Sequence, residues 1–222
     1  MSGVEAVLLD LDDTICEYRR SADDILAVAF DRVGVEPFFD GQTYYEQFVE
    51  HTDEGESVEA IRRVTFADLA REAGHDPATG RAIADAFAAE RDHRNVRFLP
   101  GADRAIERLA DRYSLGLVTN GGPDMQTQKL DGLGIADRFD ATVFAGTDAD
   151  PKPAPDPFHR ALGALDVPAD RAVHVGNSLV SDVPGAQAAG IEAAWLADGS
   201  DHAGRPDYVL DSMAELVDPP WA

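Results

Sequence analysis

Residues 4–11 (VEAVLLDL) form a short apolar run ending in acids, the pattern of a strand buried on both faces. From about residue 21 to 94 the periodicity changes. Ser21 followed by Asp24 resembles a helix start, and Ile25, Leu26, Ala29, Phe30 and Val33 recur at helical spacing. Further helical stretches follow at 41–50, 56–73 and 78–93, punctuated by Gly55 and by Gly74-His75-Asp76-Pro77. No strand pattern stands out in this block, which reads as a helical insertion. From residue 99 strands and helices alternate. Strands are expected at 115–119, 141–145, 172–175, 193–196 and 207–210. Helices are expected from Pro100-Gly101 through Arg112, and at 123–133, 155–165, 183–189 and 212–217. Such alternation predicts an α/β fold, a Rossmann-like parallel sheet with helices on both faces. The expected organisation is a core of residues 1–15 and 95–222 carrying a helical cap over 16–94.

Composition narrows the classes of function. The chain carries 42 acidic and 19 basic side chains in 222 residues, a net charge of −23, with 44% hydrophobic residues. That apolar share suits a globular protein and is too high for a disordered acidic tail. The charge argues against nucleic acid or an anionic membrane as partner, because like charges repel and no Lys/Arg block offsets them. No apolar run approaches the ~18–20 residues that span a bilayer. The N-terminus lacks the basic-then-apolar order of a signal peptide. Cys16 is the single cysteine, so no intramolecular disulfide can form, and a cytoplasmic location is the expectation. Asp outnumbers Glu 29 to 13 and Arg outnumbers Lys 17 to 2, with the acids spread along the whole chain. A dispersed acidic surface of this kind is tolerable when salt screens it, and points to a halophile. Where lysine is so rare, Lys129 and Lys152 each need a local reason. The pattern is silent on oligomeric state.

The residues beyond the strand ends carry the chemistry, since ligands of parallel α/β sheets sit there. Asp10-Leu11-Asp12-Asp13-Thr14 follows the first strand and Thr119-Asn120-Gly121-Gly122 the second. Asp150-Pro151-Lys152-Pro153 comes one short loop after the third. Gly176-Asn177-Ser178 follows the fourth, with Asp182 close behind. Asp10 and Asp12 lie two apart, so on an extended chain they point the same way and repel unless a cation lies between them or one is protonated. A hard divalent ion such as Mg²⁺, which takes oxygen ligands and shares phosphate oxygens, would resolve this. The Thr119 hydroxyl, N–H groups near Asn120 and the Lys152 ammonium could hold a phosphoryl group. A carboxylate there could attack phosphorus while its neighbour trades a proton. Ser178 could cap the next segment or touch phosphate. Asp13 suits a turn, and Cys16 a small packed residue. Arg19 and Arg20 suit a solvated hinge, and Phe144 and Trp195 suit core. The six histidines (51, 75, 93, 159, 174 and 202) form no pair at metal-ligand spacing, and His174 suits a packed position on a buried strand.

In order and spacing these four segments resemble the signature motifs of the haloacid dehalogenase (HAD) superfamily of hydrolases. The strings LPGADRAIERLADRYSLGLVTNG, PKPAPDPF and HVGNSLVSDVPGAQAAG are similar to the subfamily with a helical cap inserted after the first motif. The resemblance implies a phosphatase of small phosphorylated metabolites that uses Mg²⁺. Asp10 would be the nucleophile and metal ligand. Asp12 would be the general acid/base, its backbone carbonyl on the metal, and Thr14 would support the loop. Thr119 and Asn120 would bind phosphoryl oxygens, Lys152 would neutralise charge, and Asp182 would complete the metal site. One departure stands out. Phosphatases of this type begin the fourth motif Gly-Asp, whereas here it is Gly176-Asn177, an amide that can ligate Mg²⁺ with less charge. Asparagine there also resembles the metal-independent 2-haloacid dehalogenases of the superfamily, which generally carry Tyr in place of Asp12. A non-catalytic relative that binds a ligand through the same pocket is the third reading.

Overall fold

The computed structural model describes residues 3–51, 57–197, 199 and 205–222. Gly55, residue 56 at the start of one expected helix, and His202 lie outside the described residues. The chain divides into two compact units, one of Met1–Glu17 with Val96–Ala222 and one of Tyr18–Asn95.

The first unit is built on a six-stranded parallel sheet. Its strands are β1 (Ala6–Leu9), β4 (Ser114–Thr119), β5 (Ala141–Phe144), β6 (Ala172–Gly176), β7 (Glu192–Leu196) and β8 (Tyr208–Leu210), in the order β5-β4-β1-β6-β7-β8. All four residues of β1 are buried, as are five of the six in β4 and all five in β6. This explains why these segments read as continuous apolar runs and not as alternating ones. The pleat sends Ala6 and Leu8 to one face. There they join Phe158, Ala161 and Leu162 of α7 (Asp156–Leu165), Val183 and Ala186 of α8 (Asp182–Ala188), and Trp195. Helix α5 (Ala102–Ala110) packs on β4 and on the 3-10 helix Met213–Val217. Helix α6 (Pro123–Leu133) follows β4, with proline in its first turn and Gly134 in the left-handed conformation as its C-cap. The expected α/β parallel sheet is therefore present. The terminal helix expected at 212–217 is a 3-10 turn closed by a Ser212–Glu215 capping box.

Two short strands escaped the sequence reading. β2 (Cys16–Tyr18) and β3 (Val96–Phe98) pair with each other in a separate two-stranded sheet. At three residues each they are too short to carry a period of two.

The Tyr18–Asn95 unit contains α1 (Ala22–Val33), α2 (Gly41–Glu50), α3 (Val58–Glu72) and α4 (Pro77–Glu90). Helix α1 opens with the capping box that its sequence suggests: Ser21 Oγ accepts from Asp24 N–H, and Asp24 Oδ2 accepts from Ser21 N–H. Its core is aromatic. Phe66 meets Phe39, Tyr44 and Phe87 edge-on, with Phe30, Leu69 and Ile83 packed alongside. Gly80 lets α4 approach α3 closely: a Cβ there would lie 1.9 Å from the Phe66 carbonyl oxygen.

Candidate active site

Asp10 extends β1 by one residue, its N–H donating to Val175 O at 3.0 Å. It therefore sits between β1 and β6, where the direction of strand succession reverses and an open α/β sheet forms a crevice at its carboxyl edge. Lys152 Nζ donates to Asp10 Oδ1 at 2.8 Å, to Asp182 Oδ1 at 2.7 Å and to Val118 O at 2.9 Å, which uses all three ammonium hydrogens. The Lys152 and Asp182 side chains are each 2% exposed and that of Asp10 is 10% exposed. The Lys152–Pro153 peptide is cis.

Asp182 is committed further. Its Oδ1 also accepts from His174 Nε2 at 2.9 Å, and its Oδ2 accepts from Ser178 N–H at 3.0 Å. A Cβ at residue 176 would lie 2.2 Å from Asp182 Cγ, so only glycine lets this carboxylate in. Asp182, expected among the metal ligands, thus accepts from buried protein donors on both its oxygens and organises Lys152. His174, read from sequence as merely packed, is the second support of Asp182. Ser178 caps the turn, its Oγ accepting from Val180 and Ser181 N–H.

The electrostatics follow from two carboxylates facing one ammonium. Burial pushes Asp182 up, but the Lys152 charge and the His174 bond outweigh it and hold the group below the ordinary carboxylate range. Burial acts to lower Lys152, and the two carboxylates overcome that and raise it. Asp10 is left as the uncompensated charge. Burial first, then the repulsion of Asp182 and Asp12, lift it to about 7 despite Lys152. Burial lowers His174, leaving a neutral imidazole that donates to Asp182.

Asp12 belongs to a second network. Lys129 Nζ donates to its Oδ1, and Gln126 Nε2 donates to its Oδ2 at 2.8 Å. The chain's two lysines thus have parallel local reasons, one on each aspartate of the Asp10/Asp12 pair. Rarity marked Lys129 in the sequence, but nothing there tied it to Asp12. Gln126, one helical turn earlier, carried no signal. Gln126 Nε2 also donates to Thr119 Oγ1 at 2.6 Å. Asn120 clamps the Lys152 backbone, its Nδ2 donating to Lys152 O at 3.0 Å and its Oδ1 accepting from Lys152 N–H at 2.8 Å. That leaves the backbone N–H and the second Nδ2 hydrogen of Asn120 for a phosphoryl contact. Asn177 Oδ1 accepts from Thr14 Oγ1 at 3.4 Å, and its carbonyl accepts from the Trp195 indole N–H at 2.9 Å, so Trp195 is both core and loop anchor.

Among the described residues no three His, Cys, Asp or Glu side chains form a ready metal-ligand set. The donor chemistry nonetheless fits a hard cation. Asp10 keeps an oxygen with no hydrogen-bond donor among the described residues, and it holds the charge that Lys152 leaves uncompensated. With the Asp12 carbonyl and the Asn177 amide oxygen it would make an all-oxygen set, which would suffice for Mg²⁺ because that ion retains several waters.

Residues 4–190 match the family model for a haloacid dehalogenase-like hydrolase. The chain belongs to this family. Among sequence relatives, a phosphoserine phosphatase of Thermus thermophilus is 34% identical over 160 residues, covering 70% of this chain but only 64% of that protein. A 2-haloacid dehalogenase from Pseudomonas syringae superposes over 99% of this chain and 100% of its own, at 28% identity and a TM-score of 0.68. The HAD-hydrolase YfnB from Bacillus subtilis, bound to magnesium, matches 96% of this chain and 97% of its own at a TM-score of 0.78; at 23% identity this similarity concerns the fold. In this haloacid dehalogenase-like hydrolase Asp10 and Asp12 follow β1 at the carboxyl edge of the sheet. No described helix is long and apolar enough to cross a membrane.

Proposed function

We propose that the protein is a Mg²⁺-dependent phosphatase of small phosphorylated metabolites, working through an aspartyl-phosphate on Asp10. The observation that carries this reading is the pairing of the two aspartates with separate lysines: Asp10 with Lys152, and Asp12 with Lys129. One carboxylate is thereby held as a buried nucleophile and the other, with a 41% exposed side chain, as an accessible proton carrier.

In this reading an Asp10 oxygen attacks phosphorus in line, forming the acyl-phosphate bond as the ester P–O bond breaks. Asp12 gives its proton to the departing alkoxide. Asp12 then takes a proton from the water that attacks the aspartyl-phosphate, releasing phosphate and restoring Asp10. Lys152 and the Thr119 hydroxyl stabilise negative charge on the phosphoryl oxygens. Asp10, the Asp12 carbonyl and Asn177 would hold Mg²⁺, which when bound neutralises phosphoryl charge. The helical unit would act as a cap that selects small substrates, and the acidic surface would suit a salt-rich cytoplasm.

A second reading, the metal-independent 2-haloacid dehalogenase, draws support from the Pseudomonas syringae structure and from Asn177. Asp12 weighs against it, since halide leaves carbon without needing a proton donor. The deciding experiment is a screen of phosphate esters and chloroacetate in molar KCl, with Mg²⁺, with EDTA and with Asp10→Asn. Phosphate release that EDTA and Asp10→Asn abolish is expected. Chelator-insensitive halide release would install the dehalogenase, and ligand binding without turnover would install a non-catalytic relative.

A further inference from the structure

We infer that Gln126 and Lys129, three residues apart on one face of α6, are positioning residues that aim the Asp12 carboxylate and the Thr119 hydroxyl at the reacting phosphoryl ester. This inference rests on the phosphatase reading and deepens it. The two side chains are buried and grip both Asp12 oxygens from the protein side, while Asp12 itself stays partly open to solvent. A buried amide and a buried ammonium on a helix are rigid donors, so they restrict the carboxylate to one orientation.

Gln126 has a second task. Its Nε2 serves Asp12 Oδ2 and Thr119 Oγ1 together, which fixes the amide orientation, since the reverse would set Oε1 against a carboxylate. With its oxygen accepting from Gln126, the Thr119 hydroxyl keeps its own hydrogen for donation to an anion. Gln126 Oε1 is buried without a hydrogen-bond partner among the described residues, which shows that the side chain is held by what its nitrogen does. Space for it exists because residue 121 is glycine: a Cβ there would lie 2.4 Å from Gln126 Cδ and Nε2.

The roles separate by leaving group. Asp12 donates its proton to the alkoxide oxygen as the P–O bond breaks, a step that an alkyl ester requires and a p-nitrophenyl ester, with its stable phenolate, does not. Lys129 touches Asp12 and not Thr119, so Lys129→Met should lower kcat/KM for glycerol phosphate about a hundredfold while p-nitrophenyl phosphate changes less than about threefold. Gln126→Met should weaken both esters, the alkyl one more. In an Asp12→Asn background Lys129→Met should cost less than about twofold further, because the group it positions is already gone. Should Lys129→Met fail to fold, Gln126→Met in the same cycle carries the test. Equal losses on both esters, or a full additional loss in the Asp12→Asn background, would overturn the positioning role while leaving the phosphatase reading intact. A wild-type protein that turns over neither ester in molar KCl with Mg²⁺ removes both.

Discussion

Lys152 Nζ stands 2.8 Å from Asp10 Oδ1 and 2.7 Å from Asp182 Oδ1, a single buried ammonium joining residues 142 and 30 positions away in the chain. Removing it leaves two carboxylates in a low-dielectric site. Lys152→Met should abolish turnover and destabilise the fold by about 3–5 kcal/mol, read by denaturant unfolding. A variant as stable as wild type would mean that water reaches and pays for those charges.

Asp10 predicts a pH signature of the metal-free protein. Its pKa is about 7 in the fold against 3.8 for a free aspartate side chain, so between those values the folded state binds more protons than the unfolded one. Its contribution to stability is therefore fully present below pH ~4 and declines as pH rises to ~7, by the order of a few kcal/mol. Asp10→Asn lacks this titration. The stability of Asp10→Asn relative to wild type should grow across that window and level off above it, in urea unfolding at a series of pH values. A pH-independent difference would contradict the account.

Magnesium should act through the same charge. Saturating Mg²⁺ at about 100 times its Kd should stabilise the wild type by about 2.7 kcal/mol, seen as a higher Tm, and stabilise Asp10→Asn far less. Asn177→Asp adds a second carboxylate to the donor set, and the half-saturating Mg²⁺ concentration in that thermal titration should fall about tenfold or more, equivalent to about 1.4 kcal/mol. No change would place Asn177 outside the metal's reach.

The helical unit has a test of its own. Gly80→Ala drives a methyl group into the Phe66 carbonyl, a backbone atom that cannot turn aside. A loss of about 1–3 kcal/mol is expected, with amide exchange in α3 and α4 accelerating more than in β1 or β6. Uniform acceleration across the chain would indicate that the two units unfold together.

With a net charge of −23, the fold should gain stability with salt. Tm is expected to climb between about 0.1 M and about 2 M KCl as the screening length shrinks from about 10 Å to under 3 Å. A flat profile would detach the acidic composition from halophilic adaptation.

Much of this molecule was readable along the chain. Strands covered on both faces must be apolar throughout, so β1, β4 and β6 announced themselves, and the polar residues that end them marked the crevice. Ser21 with Asp24 announced α1, because capping is a local hydrogen-bond exchange. Lysine scarcity singled out Lys129 and Lys152. What tertiary structure alone decided is which groups meet. Gln126 looks like any helix residue until α6 lies against the Asp12 loop, and His174 looks like core until Asp182 is brought back beneath β6. The contact of Asp182 with Lys152, 30 positions away, likewise has no trace along the chain. The reason is physical: a carboxylate's partners are set by distance across the fold, and no local period or spacing encodes them.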